Sequence, residues 1–191
     1  MRRTVLLFSL MAVMSVVTAA VAWAATVNGT PSHDVLNGTA GFDSIYGFGG
    51  PDTLNGNAGN DRLFGGKSHD ICRGGTGNDV ILCGLGSDTM FGGDGTDKLE
   101  GGKGNDRLFG NAGNDNLFGG ANADTLDGGD GDDDLNAVDG RAGNDHISGG
   151  TGFDTCHINV DQNWTATTLD DVRDSTTGCQ TTEEVVMNPG P

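Results

Sequence analysis

The chain has 191 residues, 35 of them glycine, and a formal charge of −17 although only 19% of its residues are charged. So acidic a surface repels nucleic acid and anionic membranes. A chain this acidic and this poor in apolar residues is either disordered or built around multivalent cations. The N-terminal 24 residues stand apart: Arg2 and Arg3 precede an apolar stretch over residues 5–21, and Ala22-Trp23-Ala24 follows. That order of positive, apolar and small residues predicts a cleavable export signal over residues 1–24, a better fit than an uncleaved anchor. Its removal takes away two arginines and no acids, which leaves −19.

Beyond residue 30 the chain is periodic. Asp34, Asp43, Asp52, Asp61, Asp70, Asp79, Asp88, Asp97, Asp106, Asp115, Asp124 and Asp133 recur every nine residues, and Asp145 and Asp154 resume the pattern after a three-residue slip at Ala137-Val138-Asp139. Two residues after every one of these aspartates stands an apolar residue, from Leu36 and Ile45 through Ile147 and Cys156. Mixed residues on either side of it predict a very short strand with one side chain turned inward. Before most aspartates comes a turn such as Gly101-Gly102-Lys103-Gly104-Asn105, whose glycines supply positive φ angles and bare backbone.

A strand with one apolar side chain cannot fold alone, so the units must wind into a solenoid. The expected fold is all-β: a parallel β-roll of two sheets, about seven turns of 18 residues, over residues 25–158, with a short C-terminal cap over residues 159–191. Leu36, Leu54, Cys72, Met90, Leu108 and Leu126 would stack in one sheet. Ile45, Leu63, Ile81, Leu99, Leu117 and Leu135 would face them from the other.

The four cysteines are Cys72, Cys83, Cys156 and Cys179, and an even count in an exported chain suggests two disulfides. Cys72 and Cys83 approach each other across such a core, either as a bridge or as buried free thiols. Cys156–Cys179 would pin the tail over the open end of the roll, where a last turn otherwise presents a bare sheet edge.

The turns set carboxylates beside backbone carbonyls, the oxygen ligands of a hard cation. Calcium is favoured over magnesium because flexible sites of six or more oxygens suit the larger ion. Units such as Gly92-Gly93-Asp94-Gly95-Thr96-Asp97-Lys98-Leu99-Glu100 resemble the nonapeptide G-G-x-G-x-D-x-U-x of RTX (hemolysin-type) calcium-binding repeats. The resemblance implies calcium ions held between loops eighteen residues apart, ligated by repeat aspartates and turn carbonyls. It assigns Asp43, Asp61, Asp79, Asp97, Asp115 and Asp133 to one edge, and Asp34, Asp52, Asp70, Asp88, Asp106 and Asp124 to the other. Asp145 and Asp154 follow the slip, and the expected turn residues include Gly75, Gly77, Gly93, Gly95, Gly102, Gly104, Gly129 and Gly131. The departures are Pro31 and Ser32 before Asp34, Ser68 and His69 before Asp70, Cys83 before Asp88, and the slip itself. Weak or absent sites are expected at the first loop and around the slip.

No H-E-x-x-H or G-x-S-x-G motif is present, and the four histidines are scattered. Gly66-Lys67-Ser68 fails as a phosphate loop because Asp61 stands where the first glycine belongs. Asp130, Asp132 and Asp134 fail as an EF-hand because Leu135 takes the glycine position. The function expected is therefore non-enzymatic: a secreted, extracellular, monomeric calcium-binding protein that folds as it binds several ions. The alternative is an adhesin-like protein. In that reading the outward Tyr46, Phe64, Phe91 and Phe109 bind a cell-wall polysaccharide or a protein partner, and the bland counterpart is aromatic packing between rungs.

Overall fold

A computed structural model describes residues 23–138, 145–158 and 175–179. Residues 1–22 of the export signal expected over 1–24, and most of the expected cap over 159–191, lie outside the described residues. Sixteen strands lie among the described residues. They are β1 (Thr26–Asn28), β2 (Val35–Asn37), β3 (Ser44–Tyr46), β4 (Thr53–Ala58), β5 (Arg62–Lys67), β6 (Ile71–Thr76), β7 (Val80–Leu85) and β8 (Thr89–Asp94), followed by β9 (Lys98–Lys103), β10 (Arg107–Ala112), β11 (Asn116–Ala121), β12 (Thr125–Asp130), β13 (Asp134–Asn136), β14 (His146–Thr151), β15 (Thr155–His157) and β16 (Ser175–Thr177). Odd-numbered strands β1 to β15 form one eight-stranded sheet, and even-numbered strands β2 to β16 form the other. Every pairing is parallel, as the winding of a solenoid requires.

Register is fixed at eighteen residues. Leu54 pairs with Cys72, Cys72 with Met90, and Met90 with Leu108 in one sheet. Ile45, Leu63, Ile81 and Leu99 stack in the other. All of these side chains are fully buried, so the core is two facing columns of single side chains. Burying each such side chain is worth about 2 kcal/mol, and a column spreads that gain evenly along the roll. The slip after Asn136 leaves the ladder intact: Leu126 pairs with Ile147 and Leu135 with Cys156, twenty-one residues on.

Two features exceed the expectation. The inner strands are six residues long rather than three, because pairing runs on through the turn glycines, as at Gly75 with Gly93. A side chain at the second inward position would collide with the loop, so glycine there lets the chain continue the ladder without filling the core. The roll also starts one unit early. Val27 on β1 pairs with Ile45 and packs partly buried against the core, and Ala25 stands where the repeat would place an aspartate.

At the C-terminal end β16 adds a rung beside β14, and Cys179 bridges to Asp154. A disulfide joins Cys156 to Cys179 across 23 residues of chain. β16 thus covers the edge that β14 would otherwise present, the role expected of a cap. Cys72 and Cys83 are both unbonded and buried, so of the two readings the structure takes that of free thiols.

Candidate metal centre

The repeat aspartates are not solvated turn residues. From Asp43 to Asp154 all thirteen are buried, none more than 3% exposed. Each carboxylate uses one oxygen to hold its turn to the one before. The Asp43 N–H donates to Asp61 Oδ1 at 2.8 Å, Asp61 to Asp79 at 2.7 Å, Asp79 to Asp97 at 2.7 Å and Asp97 to Asp115 at 2.8 Å. On the other edge Asp52, Asp70, Asp88 and Asp106 donate to Asp70, Asp88, Asp106 and Asp124 in the same way. The chain of bonds crosses the slip, with Asp124 N–H on Asp145 Oδ1 at 2.7 Å and Asp133 N–H on Asp154 Oδ1 at 3.0 Å.

The second oxygen has a different fate. The Oδ2 atoms of Asp52, Asp61, Asp70, Asp79, Asp88, Asp97, Asp106, Asp115, Asp133 and Asp154 are buried and accept no hydrogen bond. An unpartnered buried carboxylate oxygen is costly, and a row of them is more so. Its electrostatic signature follows. Desolvation is the largest cause that pushes these carboxyls up, against the lowering effect of the backbone N–H bond, with neighbouring aspartates adding repulsion. Asp61, Asp79, Asp97, Asp106 and Asp133 rise to about 6, and Asp70 and Asp115 to about 7. Asp52 and Asp88 are raised as well, again mainly by desolvation.

The orphan oxygens of Asp52, Asp61, Asp70, Asp79, Asp97, Asp106, Asp115 and Asp133 share their space with a backbone carbonyl of the next turn. A Cβ built on Gly56 would lie 2.4 Å from Asp61 Oδ2 and 2.5 Å from the Gly74 carbonyl oxygen. On Gly92 it would lie 2.4 Å from Asp97 Oδ2 and 2.8 Å from the Gly110 oxygen. A side chain here would fill the cradle, which is why glycine stands five residues before the aspartate in nearly every loop. Cys83 is the exception before Asp88, and its thiol stays fully buried. Burial pushes that thiol well up, and a hydrogen bond with the Cys72 thiol adds to the shift.

Two further positions shape the loop, four and two residues before the aspartate. From the Phe48–Asp52 loop onward both have positive φ in every described loop, including Gly75 and Gly77, Gly93 and Gly95, Gly102 and Gly104, and Gly129 and Gly131. Where glycine is missing, Phe48, Asn57, Ser68, Asn111 and Asn122 adopt the same left-handed backbone. Their carbonyls run along the roll axis: a Cβ on Gly93 would lie 1.9 Å from the Gly75 oxygen, and one on Gly95 2.0 Å from the Gly77 oxygen. Among the described residues no three His, Cys, Asp or Glu side chains gather as a metal site. An ion in these loops must therefore draw on backbone carbonyls as well as carboxylates. Buried, unpaired carboxylate oxygens and carbonyl oxygens together fit a hard divalent cation, and calcium takes such a set readily.

A family model for the RTX calcium-binding nonapeptide repeat matches residues 28–50, 46–81, 84–117, 109–141 and 136–156. The chain belongs to the RTX calcium-binding repeat family. Calcium is the ion that RTX repeats bind, and the match spans the same residues that build the roll. No curated protein matches the chain.

The residue just before several of the RTX aspartates carries a role that its place in a turn did not signal. Its side chain accepts the N–H of the equivalent residue one turn on: Asn60 Oδ1 from Asn78 at 2.9 Å, Asn78 Oδ1 from Thr96 at 3.0 Å, and Asn114 Oδ1 from Asp132 at 3.1 Å. His69 Nδ1 accepts from Ser87 N–H at 2.6 Å, and Ser87 Oγ accepts from Asn105 N–H at 3.1 Å. The recurrence of Asn, Ser and His at that position was the available signal. The outward aromatics turn their faces to one another: Tyr46 and Phe64 stack at 4.9 Å and 5°, Phe91 and Phe109 at 5.1 Å and 10°. Arg73 and Arg107 lie over the Phe91 and Phe109 rings. This arrangement is cross-rung packing, with ring faces engaged along the sheet.

Proposed function

We propose that this is a secreted, extracellular, non-enzymatic protein that binds several calcium ions between adjacent turns and folds as it does so. The ligands are the Oδ2 atoms of Asp52, Asp61, Asp70, Asp79, Asp88, Asp97, Asp106, Asp115, Asp133 and Asp154, with Asp124 and Asp145 continuing the two edges. Loop carbonyls, those of Gly75, Gly77, Gly93, Gly95, Gly102, Gly104, Gly129 and Gly131 among them, complete each site. The single observation that carries this reading is the row of buried Oδ2 atoms without a hydrogen-bond donor.

Bound calcium supplies positive charge and oxygen coordination at those atoms. The chain's own residues do the rest: glycines hold the loops open, carboxylate Oδ1 atoms fasten each turn to the next, and the two apolar columns exclude water. Without the cation the carboxylates repel one another inside a thin core, so ion binding and folding share one free energy. Extracellular calcium modules bind at about 10⁻⁴–10⁻³ M per site, which suits a chain that stays pliable until export. The Cys156–Cys179 disulfide fits the same oxidising destination.

Calorimetric titration tests the assignment. Asp97→Asn keeps the Oδ1 acceptor while removing the charge, and it is expected to weaken calcium binding without opening the neighbouring turns. Unchanged affinity and stoichiometry in Asp97→Asn, Asp79→Asn and Asp115→Asn alike would show that these carboxylates are not ligands.

A further inference from the structure

The first two loops depart from the other described ones. In both, the residues four and two before the aspartate, Thr30 with Ser32 and Thr39 with Gly41, lack the positive φ that every later described loop shows. The consequence appears at the carboxylate. The Thr39 N–H donates to Asp43 Oδ2 at 2.5 Å, and the Thr39 hydroxyl lies 3.0 Å from the same oxygen. The Thr30 N–H donates to Asp34 Oδ2 at 2.6 Å, and the Thr30 hydroxyl lies 2.8 Å from it. Asp43 Oδ1 accepts Ala25 N–H at 2.6 Å, so both oxygens of that carboxylate are engaged although it is fully buried. Asp34 and Asp43 are the two repeat aspartates before the first orphaned Oδ2, that of Asp52.

We infer that Thr30 and Thr39 close the first loop on each edge of the roll, replace calcium there, and set the start of the calcium ladder at Asp52 and Asp61. The inference rests on the calcium reading above and refines it. The cradle itself is present in these loops: a Cβ on Gly38 would lie 2.6 Å from both Asp43 Oδ2 and the Gly56 oxygen, much as at later turns. The difference lies one residue on. With a right-handed or extended backbone, residue 39 turns its N–H onto the carboxylate and its hydroxyl completes the pair. In the left-handed loops before Asp52, Asp61, Asp70, Asp79, Asp88, Asp97, Asp106, Asp115, Asp133 and Asp154 no N–H or hydroxyl reaches Oδ2. A β-branched threonine resists the left-handed region strongly, so the residue type selects the closed loop. The N-terminal end of the roll thus has carboxylates whose Oδ2 oxygens are satisfied by hydrogen bonds alone, which gives the solenoid a terminus that requires no ion.

Native mass spectrometry of the full chain at saturating calcium separates the cases, with Asp43→Asn, Asp79→Asn and Thr39→Gly compared with the wild type. Asp43→Asn is expected to keep the wild-type ion count, Asp79→Asn to lose at least one ion, and Thr39→Gly to gain one as its loop becomes free to adopt the left-handed form. Loss of an ion in Asp43→Asn, or an unchanged count in Thr39→Gly, would overturn the inference while leaving the calcium function intact. Absence of calcium from the wild type would bring down the calcium reading, and with it any ladder for threonine to begin.

Discussion

Replacing Gly104 by alanine strikes the roll where its turns lie closest. Gly104 sits at φ 138°, and a Cβ there would lie 1.3 Å from the Gly86 carbonyl oxygen of the preceding turn. Holding a non-glycine residue in so sparsely populated a region costs about 1–3 kcal/mol. Relief of the clash requires one backbone to withdraw, which breaks the Gly104 N–H bond to the Ala121 carbonyl, 3.1 Å in the native chain; such a bond is worth about 1 kcal/mol. The two effects together give roughly 2–4 kcal/mol. At about 4 °C per kcal/mol for a domain of this size, the melting temperature at fixed saturating calcium falls by roughly 8–16 °C. Gly49 provides the control, since a Cβ there meets nothing within 4 Å. Gly49→Ala is expected to be neutral or to stabilise by about 0.4–1 kcal/mol through the unfolded chain. Thermal unfolding followed by circular dichroism reads both variants. Equal melting of Gly104→Ala and the wild type, or equal damage from the two substitutions, would refute the argument that contact between turns makes these glycines obligatory.

Acid has opposite effects with and without calcium. Folded-state carboxyl values of about 6 for Asp61 and about 7 for Asp70 lie above the unfolded value. Protonation therefore favours the calcium-free roll: that contribution is complete below about pH 3.9 and disappears as pH rises through 6 to 7. Calcium needs the ionised form, so its affinity falls as pH drops through the same window. Circular dichroism in chelator at pH 5 and pH 7.5, paired with calcium titrations, checks both signs, and a calcium-free chain more ordered at pH 7.5 would contradict them. Thiol accessibility gives an independent reading. Cys72 and Cys83 are fully buried in the folded roll, so a thiol reagent should label both rapidly in chelator and at least about a hundredfold more slowly in calcium, the factor for an opening cost near 3 kcal/mol.

The two stacked columns, the eighteen-residue register and the Cys156–Cys179 link were legible because each rests on periodicity or on chain-end geometry. Inward Leu54, Cys72, Met90 and Leu108 could be placed by counting alone. Three things could not. Ala25 hides the first unit because the signal is the aspartate, whereas what the ladder needs is the backbone N–H that Ala25 still donates to Asp43. The burial of the carboxylates depends on how closely turns stack, which nothing in a single nonapeptide states. The closure of Asp34 and Asp43 depends on the sign of φ at Thr30 and Thr39, and only the complete set of loops makes that contrast visible. The inserted residues at Ala137 looked disruptive by count, yet pairing is local to each rung, and Leu126 with Ile147 and Leu135 with Cys156 keep the ladder.

Calcium is proposed to hold the buried carboxylates of this roll and to make the fold depend on it. The most direct measurement is far-UV circular dichroism of residues 25–191, titrated with calcium from a chelated start, with magnesium in parallel. A cooperative change from coil to β signal is expected with calcium, and little or none with magnesium. A chain already β-structured in chelator at neutral pH and unmoved by calcium, or one that stays coil throughout, would contradict it.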